Sequence, residues 1–189
     1  KGLTADDIGF ITERMAGRDA EAFSGASLPF KGEDGSLAMQ STKPPLILAI
    51  ERLGTKYTMV LLDELLQANA DCQKVCSDML DPDEHSIGGW ALPKGTIVVA
   101  TGNRTKDKSG ANLLLAHLTD RVAMFELKFS IDTWAEWAYA NGVNPIVIEC
   151  AKAYSDEGFF ADSVPATDEQ YCSPRSLTRA SSHLNAFFK

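Results

Sequence analysis

No stretch of this 189-residue sequence approaches the roughly 20 consecutive apolar residues that a membrane-spanning helix needs. The chain also lacks a CxxC pair, and its three histidines are scattered, so the sequence gives little support for a zinc site. Its cysteines are Cys72, Cys76, Cys150 and Cys172. We interpret all of them as reduced structural thiols of a cytoplasmic protein, because free cysteine usually behaves as a small apolar residue.

A basic excess is missing as well. Aspartate and glutamate number 26 against 18 lysines and arginines, which gives a formal net charge of −8. Proteins that bind the nucleic-acid backbone broadly present a basic face, so this balance argues against that class of partner. The 44% hydrophobic and 23% charged residues predict an ordinary globular core. The length fits one domain, or a core domain with a small helical appendage.

We expect the chain to be organised around residues 57–68, which read YTMVLLDELLQA. Residues 57–62 form a short apolar run without charge, which suits a strand buried on both faces of a parallel sheet. Asp63 and Glu64 follow at the end of the strand, where open α/β sheets place their ligands. Adjacent carboxylates suit phosphate chemistry with a divalent metal, one holding Mg²⁺ and the other polarising an attacking water. The alternative is a strand that ends in a solvated acidic turn.

Three later segments carry polar residues in a matching order. Residues 96–103, TIVVATGN, form a second apolar and β-branched run that ends in Gly102 and Asn103. Residues 121–127, RVAMFEL, form a third short run led by Arg121. Residues 171–177, YCSPRSL, open a helix with Arg175 in its first turn.

With these motifs in this order, the chain resembles the AAA+ ATPase module, and most closely its MoxR-like branch. LDELLQA resembles the Walker B segment, VVATGN sensor 1, HLTDRVAMFEL the arginine-finger segment and SPRSL sensor 2. LTADDIG resembles the segment that follows the second strand in that branch. The resemblance covers nearly the whole chain. It implies an α/β, parallel-sheet P-loop NTPase core over residues 1–130, incomplete at its amino terminus, followed by a small all-helical lid over residues 131–189.

The resemblance also implies roles for individual residues, with ATP and Mg²⁺ as cofactors. Asp63 would hold Mg²⁺, Glu64 would polarise the lytic water, and Asn103 would position that water or the γ-phosphate. Arg121 would act in trans on the nucleotide of a neighbouring subunit, and Arg175 would act from the lid. The family implies a hexameric ring, a client protein, and often a partner with a von Willebrand A-type, metal-binding domain.

Each arginine also has a simpler interpretation. Arg121 would be a surface arginine paired with Asp120 or another acid, and Arg175 would be an arginine without a functional role. Arg175 lies in the first turn of the last helix, where the helix dipole disfavours a cation. A bound phosphate nearby would offset that cost, which favours the sensor 2 role.

One family motif is missing from the sequence. The phosphate loop GxxxxGK[ST] does not occur, and the chain contains no Gly-Lys dipeptide. Backbone N–H groups and the lysine of that loop carry the β- and γ-phosphates. We therefore expect the loop upstream of Lys1, and we expect this chain alone to bind nucleotide poorly. Without the upstream strand and helix, the sheet would lack its usual central strand beside residues 57–62 and would expose unpaired edges.

Residues 16–41 are rich in glycine, serine and charge, which predicts a loop or hairpin with a turn at residues 33–35. In the resembling family this region faces the ring pore. Phe23 and Phe30 either contact a client there or pin the loop to the core, and the usual burial of phenylalanine favours the core.

Helical periodicity predicts two helices before residue 96, over residues 43–53 and 69–80, the second capped by Asn69 or Asp71. Residues 131–189 read as successive helices without a strand pattern. Their predicted caps are Asp132, Asn144 and Ser173. The stripe of apolar residues expected on the last helix is Leu177, Ala180, Leu184 and Phe187.

Three functions compete. The first is an ATPase module of a MoxR-like ring that couples hydrolysis to the remodelling or activation of a client protein. The second is an AAA-like scaffold or interaction fragment that hydrolyses nothing, which the missing phosphate loop supports. The third is a DNA-associated AAA+ motor, which the fold permits and the acidic charge disfavours.

Overall fold

The computed structural model of the chain describes residues 2–103, 116–155 and 171–187, which divide into two compact units. The first unit runs through Met124 and the second begins at Phe125, whereas the sequence predicts a boundary at 130/131. The elements of the first unit are β1 (Ile8–Arg14), α1 (Ala20–Ser24), β2 (Ser27–Lys31), β3 (Leu37–Ser41), α2 (Pro45–Leu53), β4 (Tyr57–Asp63), α3 (Ala70–Leu80), β5 (Ser86–Ile87), β6 (Trp90–Ala91), β7 (Thr96–Ala100) and α4 (Ala116–Thr119). Those of the second unit are α5 (Ile131–Ala140), α6 (Pro145–Ala153) and α7 (Pro174–Phe187).

A three-stranded parallel sheet in the order β1-β4-β7 organises the first unit. As predicted, the uncharged run at residues 57–62 lies in a strand, which is the central strand β4, and the run predicted at residues 96–103 forms β7 over its first five residues. The chain is therefore α/β with a parallel sheet, as expected. The expectation that the sheet lacks a strand beside residues 57–62 is wrong, because β4 is hydrogen-bonded on both sides.

Strand β1 is the strand of the parallel sheet that the sequence did not predict. Its sequence, IGFITER, ends in charged residues at positions 13 and 14, which favoured a polar stretch over a strand. The structure places those residues at the carboxyl end of the strand, opposite the end of β4, with Arg14 in register with Asp63. Charge is tolerated there because this end of the sheet is open to solvent.

Helices α2 and α3 pack on one face of the sheet. Their predicted apolar stripes supply most of the core that they share with Val60 and Leu62 of β4; the buried members are Leu46, Ile47, Ile50, Cys72, Cys76 and Met79. The side chain of Asn69 caps α3 by accepting a hydrogen bond from the N–H of Cys72 over 2.8 Å. This confirms a predicted helix start.

Strands β2 and β3 form an antiparallel hairpin, as expected for a loop or hairpin region. The turn at residues 33–35 is confirmed, since the Asp34 carboxylate accepts the N–H of Ser36 and Gly35 adopts a φ of 81°. The two phenylalanines differ. Phe23 is buried in the core beneath the guanidinium of Arg18, whereas Phe30 lies on the hairpin and is 44% exposed. The preferred interpretation therefore holds for Phe23 and is wrong for Phe30.

All regular secondary structure in the described part of the second unit is helical. Its core forms around Trp134, Ala138 and Ile148, with Leu177 and Leu184 of α7 packed against it. No helix among the described residues of either unit is long and apolar enough to cross a membrane.

The helix caps of the second unit match the sequence at two of three positions. Asn144 caps α6 through the N–H of Ile146, and the hydroxyl of Ser173 accepts the N–H of Ser176 at the start of α7. The prediction for α5 is wrong, because Ser130 rather than Asp132 is its cap. Ser130 lies two positions before the predicted cap. Its hydroxyl accepts the N–H of Thr133, so the helix begins at Ile131.

The predicted stripe of α7 is only half correct. Leu177 and Leu184 are partly buried, while Ala180 and Phe187 are exposed. Ser181 is buried in their place, because its hydroxyl accepts the backbone N–H of Asn144 over 2.7 Å. Helix α7 is thus joined to α6 through a polar contact, which apolar periodicity does not detect.

Candidate functional site at the carboxyl edge of the parallel sheet

The carboxyl ends of three parallel strands bring together residues that are far apart in the sequence. Arg14 ends β1, Asp63 ends β4, and Thr101 follows β7 directly. The N–H of Met15 donates to the carbonyl of Asp63 over 2.8 Å, so β1 and β4 stay paired to this edge. Ligands of open α/β sheets bind at such an edge.

Thr101 joins the two acidic residues. Its hydroxyl donates to Oδ1 of Asp63 over 2.7 Å and accepts the backbone N–H of Glu64 over 3.2 Å. Its own N–H donates to the carbonyl of Leu62, and its carbonyl accepts the N–H of Leu65. One threonine therefore fixes the path of the chain on both sides of the acid pair. The sequence analysis missed this role, although a hydroxyl residue near the end of a predicted strand is a usable signal.

The backbone of Glu64 is the unusual one at this edge. Its φ of 59° and ψ of 38° lie in the left-handed region, which side chains other than glycine seldom adopt. Such a conformation costs on the order of 1–3 kcal/mol and persists where the surroundings impose it. Here it turns the chain sharply from β4 into the 3-10 turn Leu65–Gln67. The turn leaves the Glu64 carboxylate at the edge rather than in the core.

Arg14 pairs with that carboxylate. Its Nε lies 3.2 Å from Oε2 of Glu64, and the arginine side chain is 75% exposed. An ion pair this open to water contributes only about 0–1 kcal/mol. Arg14 therefore orients the Glu64 carboxylate, and breaking this ion pair costs little free energy.

Asn103 lies two residues beyond Thr101 and is exposed. Between them, Gly102 packs closely on the turn that follows Glu64: a Cβ at Gly102 would lie 2.6 Å from Cγ of Leu66. Glycine is thus needed for the two segments to approach. The predicted residues Asp63, Glu64 and Asn103 consequently all belong to the same edge of the first unit.

Arg121 belongs to the first unit but lies elsewhere. Its Nε is 3.0 Å from Oδ2 of Asp81, and its Nη1 donates to the hydroxyl of Ser77 over 2.5 Å. Both partners are at the carboxyl end of α3, a helix of 11 residues that spans about 16 Å. Because α3 leaves the carboxyl edge of the sheet and returns toward its amino edge, Arg121 lies near the opposite end from Asp63.

Arg175 belongs to the second unit, in the first turn of α7. It borders a shallow groove of about 370 Å³ whose lining includes Trp134, Trp137 and Arg179. Arg179 lies one helical turn beyond Arg175 and Trp137 is half exposed, so the groove combines two cations with an aromatic surface. The sequence analysis did not select Trp137 or Arg179, because their proximity depends on how α5 and α7 pack.

The residues at the sheet edge fit a magnesium ion in part. Carboxylate and hydroxyl oxygens are hard ligands of the kind Mg²⁺ prefers, and Asp63, Glu64 and Thr101 supply them. The described residues contain no group of three or more His, Cys, Asp or Glu side chains that would form a closed metal cage.

The sequence matches no protein-family model, and a search of curated proteins finds no match.

Proposed function

We propose that this chain is part of an ATP-hydrolysing AAA+ module of the MoxR-like type, which remodels or activates a client protein in an oligomeric ring. The observation that carries the proposal is the acid pair at the carboxyl edge of the parallel sheet, fixed by Thr101 from the neighbouring strand. Asn103 extends from that same strand. The order of acid pair, strand-end asparagine and two arginines along the chain supports it further.

In this proposal a bound Mg²⁺ would neutralise charge on the phosphates of ATP, and the protein residues would hold and orient the reactants. Asp63 is the residue that would hold the ion. Thr101 keeps the Asp63 carboxylate in one orientation through its 2.7 Å hydrogen bond. Asn103, an exposed amide two residues further, would orient the lytic water or the γ-phosphate.

Glu64 would accept the hydrogen bond of the attacking water and polarise it. Its Oε2 pairs with Arg14, so the water would bind the other carboxylate oxygen or displace the arginine. The exposed ion pair is weak enough for the arginine to be displaced.

Two arginines complete the proposed machinery. Arg121 would neutralise charge on the γ-phosphate of a neighbouring subunit, as arginine fingers do. Its position near the opposite end of α3 from Asp63 favours action in trans over action within one chain. Arg175 would contribute from the helical unit, which we propose is the lid. A hexameric ring, and a client or a partner with a von Willebrand A-type domain, belong to the same proposal.

A non-hydrolysing scaffold is the second candidate, and one observation favours it. The sequence contains no Gly-Lys dipeptide, so no phosphate loop of the GxxxxGK[ST] type lies within it. The two candidates differ in whether the full-length protein turns over ATP.

The decisive experiment compares the full-length protein with its Glu64→Gln variant. We expect the variant to retain ATP and to lose turnover by about 10²–10⁴-fold, the usual contribution of a positioned general base. Glu51→Gln is the matched control, since Glu51 is an exposed acid of α2 that pairs with Lys43. Turnover unchanged by Glu64→Gln would refute the assignment, and full-length protein without ATPase activity would support the scaffold.

A further inference from the structure

The carboxyl end of α3 holds the side chain of Arg121 in one place. Asp81 is the C-cap of that helix, and its side chain is only 14% exposed. Ser77 lies one turn earlier and is buried. Together they bind the guanidinium through Nε and Nη1. The backbone is fixed as well, because the N–H of Arg121 donates to the carbonyl of Leu118, a buried residue of α4.

The contacts with α3 leave the arginine able to bind an anion. A guanidinium has five N–H donors in a rigid fork. Within the described residues, Asp81 and Ser77 engage two of its three nitrogens, and the side chain of Arg121 remains 35% exposed. The group is thus oriented before any ligand arrives, which lowers the conformational freedom lost on binding.

We propose that Asp81 and Ser77 are positioning residues, which hold Arg121 ready to contact a phosphate group at the Asp63–Glu64 edge of a neighbouring copy of this chain. The inference rests on the proposed ATPase function and extends it to a pair of residues on α3. Neither residue contacts nucleotide in this account. They act by orienting Arg121, and they therefore affect the nucleotide site of the neighbouring subunit rather than that of their own.

The same contacts have a structural interpretation that must be separated from this one. A cation near the carboxyl end of a helix stabilises that helix through its dipole. If that were the whole role, loss of Asp81 would weaken every subunit that carries the substitution, whichever site it serves. A role in trans predicts that the effect depends on which subunit carries it.

Mixed rings of full-length protein make this distinction. Glu64→Gln subunits keep Arg121 and lack the proposed base, whereas Arg121→Ala subunits keep Glu64 and lack the arginine. Each alone is expected to be inactive, and mixing them should restore ATP turnover at sites where a Glu64→Gln subunit donates Arg121. Asp81→Asn is then added either to the donor or to the acceptor subunit.

We expect Asp81→Asn to lower the restored turnover at least tenfold on the donor subunit and less than twofold on the acceptor. Ser77→Ala should give a smaller loss with the same asymmetry while leaving the ion pair intact. Asp71→Asn is the control, because Asp71 is an exposed acid on α3 whose carboxylate pairs with Lys74 within the described residues. It should change neither mixture. Melting temperatures of all variants accompany the assay.

Other outcomes contradict the inference in distinct ways. Equal losses on donor and acceptor subunits, together with a lower melting temperature, would make Asp81 and Ser77 structural. If wild-type protein is active but mixing the two inactive variants restores no turnover, Arg121 does not act in trans. Wild-type protein without ATPase activity would overturn the proposed function itself, and the inference with it.

Discussion

The two faces of the parallel sheet differ in how they are covered. On one face, Val60 and Leu62 are completely buried under α2 and α3. On the other, Phe10, Met59 and Ile97 form an apolar row across the three strands and are 59%, 38% and 51% exposed. Parallel sheets normally bury both faces, so this row is the exception in the described part of the unit.

The connections between the strands explain the difference. The chain passes from β1 through α2 to β4, and through α3 to β7, stepping across the sheet in a single direction. Right-handed crossovers that step in one direction place their helices on one face. Doubly wound sheets cover their second face with connections that run in the reverse direction, and the described residues contain none. Side chains of a strand alternate between the two faces, and Arg14 and Asp63 lie an even number of residues beyond Phe10 and Met59. They therefore belong to the open face, and the proposed site lies at the border of that face.

The largest effect that this comparison predicts is on stability. Leu62→Ala removes a buried side chain from the covered face and should lower the free energy of unfolding by about 2–5 kcal/mol. Leu61→Ala, one residue earlier and on the opposite face, should cost clearly less, because Leu61 is only partly buried. Denaturant unfolding of both variants measures the difference. Equal losses would mean that both faces are buried in the folded protein.

A second effect is on thiol reactivity. Cys76 lies beneath the covered face, and its hydrogen bond with Cys72, together with burial, raises the pKa of its thiol. Little reactive thiolate therefore forms at neutral pH. A cysteine introduced on the open face by Ile97→Cys should react with iodoacetamide at least tenfold faster than Cys76 in the same chain, as followed by mass spectrometry of peptides. Rapid labelling of Cys76 would contradict the packing of α3, and slow labelling at position 97 would show that the open face is covered in the intact protein.

The sequence predicted the structure best where the structure depends on a single short segment. The uncharged run of β4, the periodicity of α3 and the caps Asn69 and Asn144 are properties of short segments, and the structure confirms them. Strand β1 was missed because its last two residues are charged. Their charge fits a strand only when the strand ends at a solvent-exposed edge of the sheet, which the sequence does not show.

Contacts between distant segments were beyond the sequence patterns. The role of Thr101 depends on the register that places Leu62 opposite Ala100. The contact between Arg121 and Ser77 joins residues 44 positions apart. The sequence suggested Asp120 or another acid as the partner of Arg121, and only the packing of α4 on α3 identifies that acid as Asp81.

The most direct test of the central claim is the binding of Mn²⁺, as a substitute for Mg²⁺, to full-length protein in the presence of a non-hydrolysable ATP analogue. Electron paramagnetic resonance counts the bound ion in wild-type protein, in Asp63→Asn and in the control Asp71→Asn. We predict nucleotide-dependent Mn²⁺ binding that Asp63→Asn weakens at least tenfold and Asp71→Asn leaves unchanged. Equal Mn²⁺ affinity in wild-type protein and Asp63→Asn would contradict a metal–nucleotide site at the carboxyl edge of this sheet.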